Sequence, residues 1–206
     1  LLFLDGISRD EAEALLRQMD EALPGVMRAG ITLYPRPDVP AMRLVRLSLL
    51  YFERSDLHLL RLSGAGEGAE GAARALNEAV AATQQVAGVL VFPVGFTFPC
   101  SRFMELATAG HEEIPFFGAV AYGGFSDELR DIKGVRVARP MAIGGDFLAE
   151  GVVAVLFAGA ELSVKADYIL GWKPIGRAME VTHGARGAFG DTTISKIDGL
   201  PAISIY

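Results

Sequence analysis

The chain runs to 206 residues, 51% of them hydrophobic, with a formal net charge of −6. That much apolar material supplies a sizeable core and excludes a disordered chain, while the acidic balance argues against nucleic acid, which calls for concentrated Lys and Arg. The single cysteine, Cys100, precludes an intrachain disulfide and fits a reducing compartment, and the longest strongly apolar segment, around Gly151 to Ala160, falls far short of the roughly 20 residues that cross a bilayer.

Leu1 to Leu4 reads as a strand and Asp5-Gly6 as a turn. Ser8 then caps a helix running to about Leu23: Ser8-Arg9-Asp10-Glu11 has capping-box spacing, and Ala12, Leu15, Leu16, Met19 and Leu23 form the stripe to be buried. Pro24-Gly25 ends it, Val26 to Tyr34 is a second strand, and Pro35, Pro37 and Pro40 stiffen the loop that follows. Ala41 to Phe52 and Leu57 to Leu62 read as a hairpin turning at Glu53-Arg54-Ser55-Asp56.

Beyond a Gly-rich connector at Ser63 to Gly68, Ala69 to Val86 is an Ala-rich helix and Val89 to Phe92 a strand. Pro93 to Pro99 is turn-like, Cys100 to Gly110 a helix, and Phe116 to Tyr122 a strand. Leu1–Tyr34 and Val89–Tyr122 thus share one plan of strand, helix and strand. From Ile132 onward the chain is almost all strand. The class expected is α+β, or mixed α/β: strand-helix-strand units first, an antiparallel meander in the last third, and helices packed on a mixed sheet. A subdivision is expected near residues 125–135.

Gly151 to Gly159 is β-branched, apolar and bounded by glycines, as a buried central strand is. Leu162 to Leu170 alternates like a strand with one wet face, and Ala178–Thr182 and Thr192–Ile197 continue the meander. Between them stands Gly171-Trp172-Lys173-Pro174-Ile175-Gly176, then Val181-Thr182, then Asp198-Gly199-Leu200-Pro201-Ala202. Asp198-Gly199 is a hairpin signal in its own right. This order of G-W-x-P-I-G, V-T and D-G-x-P-A resembles the FIST sensory domain, a ligand-sensing module of bacterial signalling proteins. Upstream, Val89-Leu90-Val91-Phe92 before a helix, and Ile114-Pro115-Phe116-Phe117-Gly118-Ala119 entering a Gly-rich turn, resemble the N-terminal segments of that family.

Several residues could carry ligand chemistry. Gly118, Gly123 and Gly124 follow a strand, where glycine lets a ligand approach backbone N–H groups; tight turn geometry is the alternative. Ser101 and Arg102 could clamp a carboxylate. Cys100, at a helix start beside Arg102, is either an activated thiol or a small buried hydrophobe. Trp172 either seals a corner of the sheet or touches ligand; Thr182 and Asp146 complete the candidates. His58, His111 and His183 are scattered without ligand spacing, so no metal site is expected, nor any cofactor.

The resemblance implies a cytoplasmic N-terminal sensory portion that binds a small metabolite, an amino acid by the family's proposed ligands. It also implies an attached or associated signalling output domain, with the C-terminal FIST portion and output module lying outside this chain, which opens without an initiator Met. On that reading an amino-acid carboxylate meets Arg102 or turn N–H groups while Asp146 faces the ammonium. Pairing of two copies as a homodimer is a further expectation; membrane insertion is not. The rival readings are an enzyme on a small polar metabolite, with Cys100 or a carboxylate as its reactive group, and a protein-interaction module.

Overall fold

A computed structural model describes residues 1–33, 43–63, 68–95, 98–132, 135–167, 176–186 and 192–205. The chain forms two compact units, Leu1–Ala166 and Asp167–Tyr206. The elements of the first, in chain order, are β1 (Leu2–Asp5), α1 (Arg9–Ala22), β2 (Ala29–Thr32), β3 (Leu44–Leu47), β4 (Asp56–Ser63), α2 (Gly68–Ala82), β5 (Val86–Pro93), α3 (Cys100–Thr108) and β6 (Phe116–Gly118). Then come β7 (Arg130–Ile132), β8 (Val135–Val137), β9 (Ala142–Gly144), β10 (Asp146–Leu148) and β11 (Gly151–Ala158). The second unit holds β12 (Val181–Arg186), β13 (Thr192–Ile197) and β14 (Leu200–Pro201).

The α+β class stands, but the strands of the first unit build two stacked sheets and a separate β7–β8 pair rather than one sheet. The first has the order β10-β9-β2-β1-β3 and the second β4-β11-β5-β6. Side chains alternate across every central strand, so each strand feeds two cores. In β11, Val152, Ala154 and Leu156 pack under α2 and α3, while Val153, Val155 and Phe157 meet the other sheet. In β1, Leu2 and Leu4 pack against Leu16 and Met19 of α1, while Phe3 turns to Phe92 of β5, ring edge to ring face at 6.2 Å. The first unit is therefore four layers: α1, the five-stranded sheet, the four-stranded sheet, and α2 with α3. Burial on both faces is why β5 and β11 read as unbroken apolar runs.

Both strand-helix-strand units form, each as a parallel pair: β1 with β2 and β5 with β6. They occupy different sheets. Helix α1 opens with the expected capping box, Ser8 Oγ accepting from the Glu11 N–H and the Glu11 carboxylate accepting from the Ser8 N–H at 2.9 Å.

Four expectations are corrected. Residues 44–47 and 57–62 do not form a hairpin: β3 pairs with β1, whereas β4 pairs with β11 nearly a hundred residues away, so the polar stretch at 53–56 joins two sheets. Helix α2 stops at Ala82 instead of Val86; Thr83 Oγ1 bonds back to the Ala79 carbonyl at 2.8 Å, Gln85 takes a positive φ of 56°, and β5 begins at once. Residues 162–167 form no strand, and 168–170 lie outside the described residues. Finally, β11 is the centre of the four-stranded sheet and takes no part in the meander, which is β12-β13-β14 alone. In that meander Asp198 (φ 49°) and Gly199 (φ 79°) make the two-residue turn joining β13 to β14.

Candidate functional site

Parallel strands present their carboxyl ends together, and in open α/β sheets ligands bind beyond those ends. In the first unit both parallel pairs meet one segment there, residues 119–126. It leaves β6 and is tied first to the end of β5: the Ala121 N–H donates to the Pro93 carbonyl and the Gly95 N–H to the Ala121 carbonyl, both at 2.8 Å. It is tied next to the end of β2, where Thr32 Oγ1 donates to the Gly123 carbonyl. Beyond β1, the Ser126 N–H donates to the Ile7 carbonyl at 2.9 Å.

Two polar residues are buried in the described chain, Asp5 at 7% exposure and Thr32 at 1%, and they terminate β1 and β2. Thr32 is locked from three sides. Its Oγ1 accepts the Met141 N–H at 2.9 Å, lies 3.1 Å from the Met141 carbonyl and donates to Gly123, while its own N–H bonds the Met141 carbonyl at 2.9 Å. Gly123 and Gly124 are buried against this cluster. A Cβ on Gly124 would stand 2.3 Å from the Arg139 carbonyl oxygen. No hydrogen bond among the described residues uses the N–H of Gly123 or Gly124. Buried backbone donors nearly always find an acceptor, so the arrangement offers two N–H groups held in place by the Thr32 hydroxyl, with Asp5 at the end of the neighbouring strand.

The rim is charged. Arg9 stacks over the Phe125 ring at 4.7 Å and bonds Glu128 at 2.5 Å, and its backbone N–H is capped by Asp127. Arg9, Asp127, Glu128, Arg139 and Met141 line an open cleft there.

The remaining candidates do not converge on this point. Arg102 lies in the helical layer, where its Nε meets Glu70 at 3.1 Å and its Nη1 meets Glu105 at 3.2 Å. The bond from Arg102 holds the Glu70 carboxyl below its ordinary range. Ser101 beside it is exposed. Cys100 is half-buried, its Sγ 3.3 Å from the Phe98 carbonyl, and burial pushes the thiol's pKa up, opposite to an activated nucleophile. Asp146 begins β10 and caps its own neighbour, Oδ1 accepting from the Phe147 N–H at 2.7 Å. Since β9 aligns Gly144 with Ala29 and Ala142 with Ile31, Asp146 stands at the amino end of β2, opposite Thr32.

Thr182 belongs to the second unit, where its Oγ1 accepts the Gly199 N–H at 2.9 Å and braces the Asp198-Gly199 turn. Asp198 accepts the Glu180 N–H at 2.8 Å, which holds its carboxyl below the usual Asp range, and the Arg177 guanidinium at 2.6 Å acts in the same direction. Next to this turn Val181 pairs with Ile197 and Pro201 with Lys196, and Ala202 opens a short 3-10 turn; Gly176 has a positive φ of 81°, whereas Gly171, Trp172, Pro174 and Ile175 lie outside the described residues.

Sequence reasoning passed over Asp5 and Thr32. The available signal was that each ends an apolar strand, Leu1-Leu2-Phe3-Leu4-Asp5 and Ala29-Gly30-Ile31-Thr32, of a strand-helix-strand unit. Among the described residues no three of His, Cys, Asp and Glu gather as metal ligands, and no helix is long and apolar enough to cross a membrane.

No curated protein and no solved structure matches the chain. The family model described as the FIST N domain matches residues 1–199, taking in the whole first unit, the G-W-x-P-I-G and V-T motifs, and Asp198-Gly199 of the third motif. With nearly its whole length matched, the chain belongs to the FIST N domain family, a family of signalling-associated domains.

Proposed function

We propose that the chain is the ligand-binding portion of a cytoplasmic bacterial signal-transduction protein, taking up a small metabolite of the amino-acid class and reporting its presence to an attached or associated output module. The observation that carries this reading is the pair of unused N–H groups of Gly123 and Gly124, fixed by Thr32 at the carboxyl end of β2, with the buried Asp5 ending the adjacent β1. An α-amino acid carries a carboxylate and an ammonium a few ångströms apart. Two adjacent backbone N–H groups suit the first, as a nest does. A buried carboxylate suits the second, and Asp5 takes the role first expected of Asp146. The reading is of a binder rather than a catalyst, since the Cys100 thiol is disfavoured as a nucleophile.

The test is an amide-resolved NMR titration of the chain with each standard amino acid. Saturable movement of the Gly123 and Gly124 amide signals with one ligand class supports the reading. Movement confined to Ser101, Arg102 and their neighbours would move the site to the helical layer and refute this placement.

A further inference from the structure

Strand β3 closes one side of the five-stranded sheet, and among the described residues nothing pairs with its outer edge. Its hydrogen-bonding direction is fixed by β1. Ser48 and Leu1 exchange both backbone bonds, at 2.9 and 2.6 Å, and Leu2 lies opposite Leu47. In an antiparallel ladder such exchanging pairs alternate with non-bonded ones, so residues 44, 46 and 48 spend their N–H and C=O groups on β1. Val45, Leu47 and, in continuation, Leu49 turn theirs outward.

The same odd-numbered positions carry an apolar stripe. Val45 is 44% exposed, Leu47 45%, Leu49 66% and Tyr51 85%. Lying opposite Leu4 and Leu2, Val45 and Leu47 share the α1 face of the sheet, in keeping with the ion pair of Arg43 to Glu11 of α1. Free edges are normally guarded by charge, proline or a bulge. Here the positions whose backbone groups are free are also apolar.

We propose that this edge pairs with the β3 edge of a second copy of the chain, antiparallel, with Leu47 opposite Leu47 on the two-fold axis. Residues 43–51, Arg-Leu-Val-Arg-Leu-Ser-Leu-Leu-Tyr, are self-complementary about that centre. Val45 then faces Leu49, and the outward groups of Val45, Leu47 and Leu49 bond reciprocally, as an isologous interface requires. Leu44 faces Leu50, Arg46 faces Ser48, and Arg43 reaches the ring of Tyr51, a favourable cation–aromatic pairing. No two arginines stand directly opposite, where like charges would repel. A register moved by one residue would set outward groups against inward ones and lose the bonds. The two five-stranded sheets become one continuous sheet. This pairing is separate from the ligand-binding reading, which uses none of the outward-facing groups of β3; the one link between them is the backbone pairing of Leu44 with Asp5.

The test uses the full chain and two variants, Leu47→Lys and Leu47→Glu. Each sets like charges against each other on the axis, at a side chain already half-exposed in one copy, so folding, checked by circular dichroism, is retained. Sedimentation equilibrium is expected to show a wild-type dimer and a dissociation constant weakened about tenfold or more in each variant, with a heterodimer restored when the two variants are mixed. A wild-type chain that stays monomeric at its highest soluble concentration overturns the proposal. So does a dimer that neither variant weakens, or variants that fail to recover on mixing.

Discussion

Replacing Thr32 by Val tests the claim that its hydroxyl holds the loop of Gly123 and Gly124 in place. The change conserves shape and removes an oxygen that accepts the Met141 N–H at 2.9 Å and donates to the Gly123 carbonyl. Thr32 is 1% exposed, so water does not replace either bond without rearrangement. Orphaning a buried N–H costs about 1–3 kcal/mol, and the carbonyl, with two lone pairs, costs less. A net loss of about 2–3 kcal/mol follows once the added methyl offsets part of it. For a unit of this size that lowers the melting temperature by about 4–12 °C. Thr32→Ser is the control: it keeps the hydroxyl and deletes one methyl, for about 1 kcal/mol. Urea and thermal unfolding of the three proteins decide the matter. A Thr32→Val protein as stable as Thr32→Ser refutes the reasoning, because the methyl and not the hydroxyl would then carry the site.

Gly118→Ala is expected to cost about 3 kcal/mol or more, measured by urea unfolding, because Gly118 has a φ of 148° and a Cβ there would stand 1.9 Å from the Val91 carbonyl oxygen of β5. Cys100 is expected to react with iodoacetamide at neutral pH more slowly than a free model thiol, since burial raises its pKa and little thiolate forms; rapid stoichiometric labelling would contradict this. The folded Asp198 carboxyl titrates below its unfolded value, so its contribution is complete above the ordinary Asp range and is lost as pH falls through the folded value. Acid titration followed at the Gly199 amide is therefore expected to show the β13–β14 turn loosening in that window. Asp198→Asn, which keeps an acceptor for the Glu180 N–H and tolerates positive φ, is expected to flatten the dependence.

The elements legible in the sequence are those whose local pattern meets no competitor. Ser8 to Glu11 specified a helix start through side chains three residues apart. Asp198-Gly199 specified a turn because few residue pairs accept two successive positive φ angles. The runs of β5 and β11 announced burial on both faces, yet the same run serves one covered sheet or two stacked sheets, and nothing local distinguishes them. The assignment of 41–52 and 57–62 to a hairpin failed for that reason: β4 answers to β11, a partner invisible in any window around residue 57. The end of α2 was illegible because its stop is a back-bonding Thr83 and a left-handed Gln85 rather than Gly or Pro.

The site divides along the same line. Gly123 and Gly124 stood out as backbone, since adjacent glycines after a strand signal close approach. Asp5 and Thr32 draw their meaning from a parallel pairing and from a loop some ninety residues further on, neither of which is written near them. Arg102 drew attention as a lone cation beside a serine, but its partner Glu70 comes from another helix.

The most direct measurement is a thermal-shift screen of the chain, with Asp5→Asn in parallel, against the standard amino acids and related small acids and amines. A ligand that binds the native state raises its melting temperature by mass action. The account predicts a dose-dependent rise of the wild-type melting temperature with one chemical class carrying both an ammonium and a carboxylate, and its loss in a folded Asp5→Asn protein. An unchanged rise in Asp5→Asn, or no response from folded wild-type protein, contradicts the account.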